Sequence, residues 1–157
     1  MILQKPPKTL PTGLKDHIFR LSALGGVLGG LLWGRLTDRL SANRLFPLGF
    51  FLWSSFLILL SLTPRSMILL LGLFAGLSLS HLWTTSRVLL IERFTRGDIA
   101  LRFSFYSLSE RIASSLGLFS WSLLLYLTSG NYRLSALLML VFPILGFIIY
   151  KLSNRRL

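Results

Sequence analysis

The sequence contains no cysteine. Disulfide bonds, thiolate metal sites and cysteine nucleophiles are therefore excluded. It also lacks a recognisable Ser–His–Asp set, a pair of carboxylates at acid–base spacing, a cluster of metal ligands and a phosphate-binding glycine loop after a strand. We therefore predict no catalytic residue, no metal site and no cofactor, and we do not expect an enzyme.

Acidic residues are also scarce. Five aspartates and glutamates stand against 17 lysines and arginines, which gives a formal net charge of +12. The basic residues lie at the ends of apolar runs and form no separate face studded with aromatic residues. This pattern favours membrane topology and contact with anionic lipid as the role of the charge. Nucleic acid is not an expected partner, whereas the lipid bilayer is.

Charged residues make up only 14% of the chain and hydrophobic residues 53%. A soluble domain carries about 25% charged residues, and a membrane-spanning helix needs about 20 apolar residues. The fold class predicted is therefore an all-α integral membrane protein with about five transmembrane helices. Residues 1–13 form a polar N-terminal segment, residues 14–152 the five-helix region and residues 153–157 a basic tail. The predicted spans are Leu14–Leu36, Leu45–Leu62, Met67–Leu90, Phe103–Thr128 and Leu134–Leu152, the last with a kink at Pro143.

The positive-inside rule gives an orientation. The loops on one side, together with the C-terminus, hold nine basic residues, and the loops on the other side hold only Arg65 and Arg133. We expect the nine-residue side and the C-terminus to face the cytoplasm, in a plasma or inner membrane. Five spans then place the N-terminus outside, although four basic residues there argue against it. We take this conflict as a sign that the chain is a piece of a longer protein. The nine are Arg35, Arg39, Arg44, Arg93, Arg96, Arg102, Lys151, Arg155 and Arg156.

Glycine recurs at four-residue spacing in two of the predicted spans. Small residues at this spacing let two helix backbones approach closely in a membrane. We favour tight helix packing as their role, with a flexible gating helix as the alternative. The residues are Gly25, Gly26, Gly29 and Gly30 in the first span and Gly72 and Gly76 in the third.

The connection between the first two spans carries a motif. Gly34, Leu36, Asp38 and Arg39 are followed by Arg44, with Ser41 where a second glycine is expected. This pattern resembles the signature loop of the major facilitator superfamily, a group of secondary transporters. From the residues, a carboxylate at Asp38 is suited to meet the N-terminus of a neighbouring helix, which carries about half a positive charge. The neighbour we expect is the fourth span, near Phe103.

A second run of residues narrows the resemblance. Ser86-Arg87, the run from Phe103 to Ser109, then Arg111 and Gly117 resemble the vacuole effluxer family, which includes autophagy-related amino-acid exporters. Leu118 replaces an expected proline, and Trp83 an expected glutamine. The resemblance implies that the five spans are the eighth to twelfth of a twelve-span fold.

The resemblance also implies that the chain is the C-terminal part of a secondary active transporter for a small solute, with amino acids as a candidate substrate. The partner is then a missing N-terminal half, and the chain alone is not expected to transport. The alternative is a small non-transporting membrane protein that assembles with a partner, or with itself, through its glycine-rich helices.

Charged and polar residues in the third and fourth spans are candidates for a gate or substrate path, because a charge inside a bilayer needs a partner or a wet cavity. A structural ion pair of Arg87 with Glu110 is the alternative. His81 is a candidate proton site, with hydrogen-bonded packing as its alternative. The gate candidates are Arg87, Tyr106, Ser107, Glu110 and Arg111.

Overall fold

The computed structural model describes residues 12–64, 67–93 and 99–154, and these residues form six α-helices and no strand. The predicted all-α fold is therefore confirmed for this part of the chain. The polar segment before Thr12 and the end of the basic tail lie outside it. The helices are α1 (Thr12–Arg39), α2 (Ala42–Leu62), α3 (Ile68–Arg93), α4 (Ile99–Leu127), α5 (Tyr132–Leu138) and α6 (Val141–Asn154).

Three described segments are long and apolar enough to cross a membrane: α2, α3, and α5 together with α6. The other two long helices, α1 and α4, have 28 and 29 residues. At 1.5 Å per residue, either is longer than the hydrocarbon core of a bilayer, which is about 30 Å thick. Both are more polar than the other three segments, so each needs something other than lipid along part of its surface.

The fifth predicted span is interrupted. Residues Met139 and Leu140 form a turn between α5 and α6. The interruption lies just before Pro143, which has no N–H to donate to the carbonyl four residues earlier and whose ring crowds that carbonyl. The helix resumes with a hydrogen bond from Ile144 N to Leu140 O of 3.2 Å.

The most extensive helix pair joins α1 to α3. Small residues permit the contact: a methyl group built on Gly25 would overlap the backbone oxygen of Leu73, and one on Gly76 would overlap that of Ser22. At Gly29 it would overlap Ser80 Oγ. Backbone therefore packs on backbone along this seam, as small residues at four-residue spacing allow.

The glycines of α1 fall into two sets. Gly25 and Gly29 lie in the seam with α3, where Gly72 and Gly76 also lie. Gly26 and Gly30 have no described atom within 4 Å of a built methyl group, and the same is true of Gly34. Gly26, Gly30 and Gly34 are each about one helical turn apart and therefore form an open groove along α1.

Helix α4 stands apart from this packing. None of its residues is buried, whereas α2 and α3 each contribute several to the core. A hydrogen bond of 2.6 Å between Ser86 Oγ and Tyr106 OH joins α3 to α4. The other end of α4 turns into α5 through Ser129 and Gly130, which both have positive φ.

Candidate functional site

The signature residues lie on the last turns of α1 and in the short turn after it. The sequence predicted Asp38 just beyond the first span, but α1 continues to Arg39, so Asp38 is helical. The connection to α2 consists of Leu40 and Ser41 alone. Ser41 has φ −40° and ψ 144°, a backbone region open to residues other than glycine. The turn therefore stays tight with serine at the place of the expected glycine.

The charged side chains of this turn are exposed. The side chains of Asp38, Arg39 and Arg44 form no hydrogen bond or ion pair with any residue that the structure describes. In particular, Asp38 makes no hydrogen bond to the first turn of α4, which was its expected neighbour. The carboxylate and the two guanidinium groups are therefore available to groups outside this part of the chain.

A different acid caps a helix at this end of the bundle. The Glu92 carboxylate, near the end of α3, accepts a hydrogen bond of 3.0 Å from the backbone N–H of Ala42. Ala42 is the first residue of α2, and the Ser41 side chain before it makes no capping hydrogen bond. A carboxylate at a helix N-terminus both satisfies a free N–H and opposes the positive end of the helix dipole. Glu92 therefore fixes the start of α2 to the end of α3.

The neighbouring arginine links three helices. Arg93 Nη2 donates to Asn43 Oδ1 at 2.9 Å and to Asn154 Oδ1 at 2.7 Å. Its guanidinium also lies 5.7 Å from the ring centroid of Tyr150, whose hydroxyl donates to Asn43 O at 2.9 Å. We call these residues, with Glu92, the Arg93 cluster. It joins the ends of α2, α3 and α6 on the side that carries Arg39 and Arg44.

Sequence reasoning did not single out the Arg93 cluster. The residues joined by its hydrogen bonds lie 50 to 107 residues apart along the chain. The available signal was that the ends of the second, third and fifth spans fall on the same side of the membrane. Polar residues at those ends, including Asn43 and Asn154, were therefore candidates for one shared network.

The gate candidates on α4 divide between two faces. Tyr106 and Glu110 lie on the half-buried face toward the bundle, whereas Ser107 and Arg111 are exposed. The division follows from helix geometry, because each residue turns the helix by about 100°. The structure therefore does not gather these four side chains into one cluster.

Arg87 and Glu110, both within the described residues, form no ion pair or hydrogen bond with each other. Arg87 is exposed near the end of α3. The polar contact between these two helices is instead made by the residue before it, Ser86, through Tyr106. The expected neutralisation of Arg87 by Glu110 is thus not present in this conformation.

His81 is fully buried where α1, α2 and α3 meet. The ring of Trp33 packs edge-on against the imidazole with centroids 4.5 Å apart, and the Trp33 indole N–H donates to Leu77 O. On the other side, a methyl group built on Gly49 would lie 3.0 Å from His81 Nδ1. Neither ring nitrogen makes a hydrogen bond of ordinary geometry with a described residue, although the backbone of Leu45 lies close enough to interact with the imidazole. That part of the chain also contains no group of three or more potential metal ligands.

The chain is similar to one protein family and to one relative among known proteins. The sequence model of the family described as Major Facilitator Superfamily matches residues 12–156. An "Uncharacterized protein" of Aquifex aeolicus (strain VF5) is 57% identical over 134 residues, which cover 85% of this chain and 35% of that protein. The chain therefore spans about a third of the length of the relative. No solved structure matches this chain.

Proposed function

The chain belongs to the major facilitator superfamily, and from this premise we propose that it forms the C-terminal part of a secondary active transporter for a small solute. Membership supports a transporter-type function, and it fits an integral membrane protein that is not an enzyme. We further propose that the other helices of the transporter lie outside this chain, and we assign roles to individual residues.

The observation that carries the proposal is the polar, uncovered side of α4. This helix is long enough to span a bilayer, has no buried residue and exposes Arg111 and several serines along its length. Lipid tails offer no hydrogen bonds to such a surface, so it needs protein or water against it. A solute path between this bundle and a second one supplies both.

The second bundle is proposed to come from helices that precede those of this chain. The match to 35% of the length of the relative supports this, since the remainder of a protein of that length is long enough for several more spans. The five spanning segments then correspond to the eighth to twelfth spans. In this arrangement we place the Arg93 cluster and the C-terminus on the cytoplasmic side of a plasma or inner membrane.

We assign the signature residues Gly34, Leu36, Asp38, Arg39 and Arg44 to the conformational cycle. The support for this assignment is their exposure. The side chains of Asp38, Arg39 and Arg44 make no hydrogen bond or ion pair with a described residue and can engage a partner in another conformation. We assign the gate to the boundary of α3 and α4, where Ser86 and Tyr106 join the two helices near Arg87.

His81 is the candidate proton site of this transporter. It is fully buried among three helices, and neither ring nitrogen makes a hydrogen bond of ordinary geometry with a described residue. The test is the pH dependence of transport after His81→Gln, with His17→Gln as the control because His17 is exposed near the start of α1. Loss of pH dependence in the first variant alone supports the assignment. Unchanged pH dependence in both shows that His81 only packs.

The resemblance of Ser86-Arg87, Phe103 to Ser109, Arg111 and Gly117 to the vacuole effluxer family supports amino acids as candidate solutes. A direct assay is uptake or efflux of labelled amino acids by liposomes that contain the chain with its native membrane partners. The 157-residue chain alone, in matched liposomes, is expected not to transport. Transport by the isolated chain at the rate of the partnered preparation would refute the proposal.

A second candidate is a small non-transporting membrane protein that assembles through its glycine-rich helices. The open groove of Gly26, Gly30 and Gly34 on α1 favours this candidate, because a row of small residues lets a second helix approach the backbone closely. Replacing Gly30 with leucine should then reduce the size of the oligomer, with Gly117→Leu as a control in open space on α4. An unchanged assembly in Gly30→Leu removes this candidate.

A further inference from the structure

Helix α4 carries three donor side chains in one row. Ser107, Arg111 and Ser115 are four residues apart and therefore follow one another on the same face of the helix. All three are exposed. We call them the Arg111 row.

The donors of this row are free, unlike those of the neighbouring serines. Ser104, Ser109 and Ser114 each donate to a carbonyl of their own helix, at 2.8 to 2.9 Å. Ser107, Arg111 and Ser115 form no hydrogen bond with any other described residue. The row thus offers two hydroxyl protons and a guanidinium to something that the described chain does not provide.

In an α4 that spans the bilayer, as the proposed function requires, Arg111 lies far from both membrane surfaces. It is the thirteenth of the 29 residues of α4. At 1.5 Å per residue its Cα lies about 18 Å from the start of the helix, close to the middle of a bilayer core about 30 Å thick. Lipid headgroup phosphates lie at the surface, which is farther than an arginine side chain reaches from the middle of the core. A guanidinium at this depth needs a partner group or a wet cavity.

The described residues do not supply a carboxylate partner for Arg111. Glu110 is adjacent in sequence, but side chains at successive positions of a helix do not face each other. Glu110 lies on the half-buried face toward the bundle, and Arg111 on an exposed face. Three other acidic residues that the structure describes, Asp16, Asp38 and Glu92, lie in the terminal turns of helices.

We propose that the Arg111 row binds the anionic group, a carboxylate or a phosphate, of the transported solute. This proposal rests on the transporter function proposed above and adds the chemical class of the substrate. The planar guanidinium matches two oxygens of such a group at once. The hydroxyls of Ser107 and Ser115 donate from one turn to either side.

The test uses the chain tagged after Leu157 and purified from its native membranes with everything that stays bound to it. The thermal unfolding temperature is measured with succinate, with inorganic phosphate and with neutral glucose. We expect succinate or phosphate to raise it and glucose not to. A response to succinate identifies a carboxylate solute, and a response to phosphate a phosphorylated one. No response of the wild type to either anion overturns the proposal.

Variants locate the site. Arg111→Gln should weaken anion binding by roughly ten- to a hundredfold, the loss expected for a charge-assisted hydrogen bond. Arg133→Gln removes a basic residue of the first turn of α5 and should bind as the wild type does. The double variant S107A/S115A keeps the charge and should bind several-fold more weakly. Equal binding by wild type and Arg111→Gln overturns the proposal.

Transport by the same preparations separates this inference from the proposed function. If a neutral or cationic solute is transported and Arg111→Gln transports it normally, the anion site is wrong and the transporter stands. If anions bind through Arg111 but no solute crosses the membrane, the site stands and the transporter function fails.

Discussion

The carboxylate of Glu92 accepts the backbone N–H of Ala42 at 3.0 Å, across 50 residues of sequence. This contact makes an acid on α3 the cap of α2. It replaces the local cap that Ser41 does not provide. Together with Arg93 it fixes three helix ends on one side of the bundle.

We expect Glu92→Ala to destabilise the bundle by about 1 kcal/mol, the typical cost of losing a helix N-cap. The measurement is thermal or denaturant unfolding in detergent, followed by helical circular dichroism. Glu110→Ala is the control, since its carboxylate makes no hydrogen bond within the described residues. Equal unfolding temperatures for the two variants would contradict the capping role.

Two adjacent glycines of α1 predict opposite outcomes. Gly25→Ala should destabilise the protein by about 1–3 kcal/mol, because the new methyl group overlaps the backbone oxygen of Leu73 and the helices have to separate. Gly26→Ala meets open space and should be neutral or stabilising by up to about 1 kcal/mol, through the higher helix propensity of alanine. Unfolding of both variants under the same conditions checks this. A reversed order would show that α1 packs on α3 with a different face.

The hydrogen bond between Ser86 and Tyr106 is expected to hold α4 against α3. Tyr106→Phe should cost about 0.5–1.5 kcal/mol. A double-mutant cycle with Ser86→Ala isolates the pair, because the double variant should then be no less stable than the more affected single variant. Fully additive losses would show that the two hydroxyls act independently.

Asp38→Asn removes a charge without changing the shape of the side chain. If the signature residues act in the conformational cycle, this variant should lower the transport rate of the complete transporter while leaving the unfolding temperature unchanged. The structure supports the second half of this expectation, because the Asp38 side chain is exposed and makes no hydrogen bond or ion pair with a described residue. Wild-type transport by the variant would remove Asp38 from the cycle.

The membrane-spanning helices could be predicted because hydropathy is a property of consecutive residues. Runs with few charges, bounded by arginine and lysine, gave helices close to α2 and α3. The ends were less accurate where polar residues continue a helix, as at Asp38 and Arg39 in α1 and before Phe103 in α4. In these polar terminal turns the helix continues because its backbone hydrogen bonds continue. The hydropathy of the side chains does not report those bonds.

Contacts between helices were much less predictable. Gly25 with Gly29, and Gly26 with Gly30, have the same spacing in the sequence, yet one pair lies in the seam with α3 and the other faces open space. The cap that Glu92 makes on α2 and the contacts of Arg93 depend on how three helix ends meet. Periodicity alone does not carry that information.

The proposed function requires that this chain acts as one part of a larger transporter. Native mass spectrometry of the chain tagged after Leu157 and extracted from its own membranes is the measurement to make first. We expect a species that contains additional, different polypeptide, whether covalently continuous or bound, on the scale of the two thirds of the relative that this chain does not match. A species made only of 157-residue chains would contradict it.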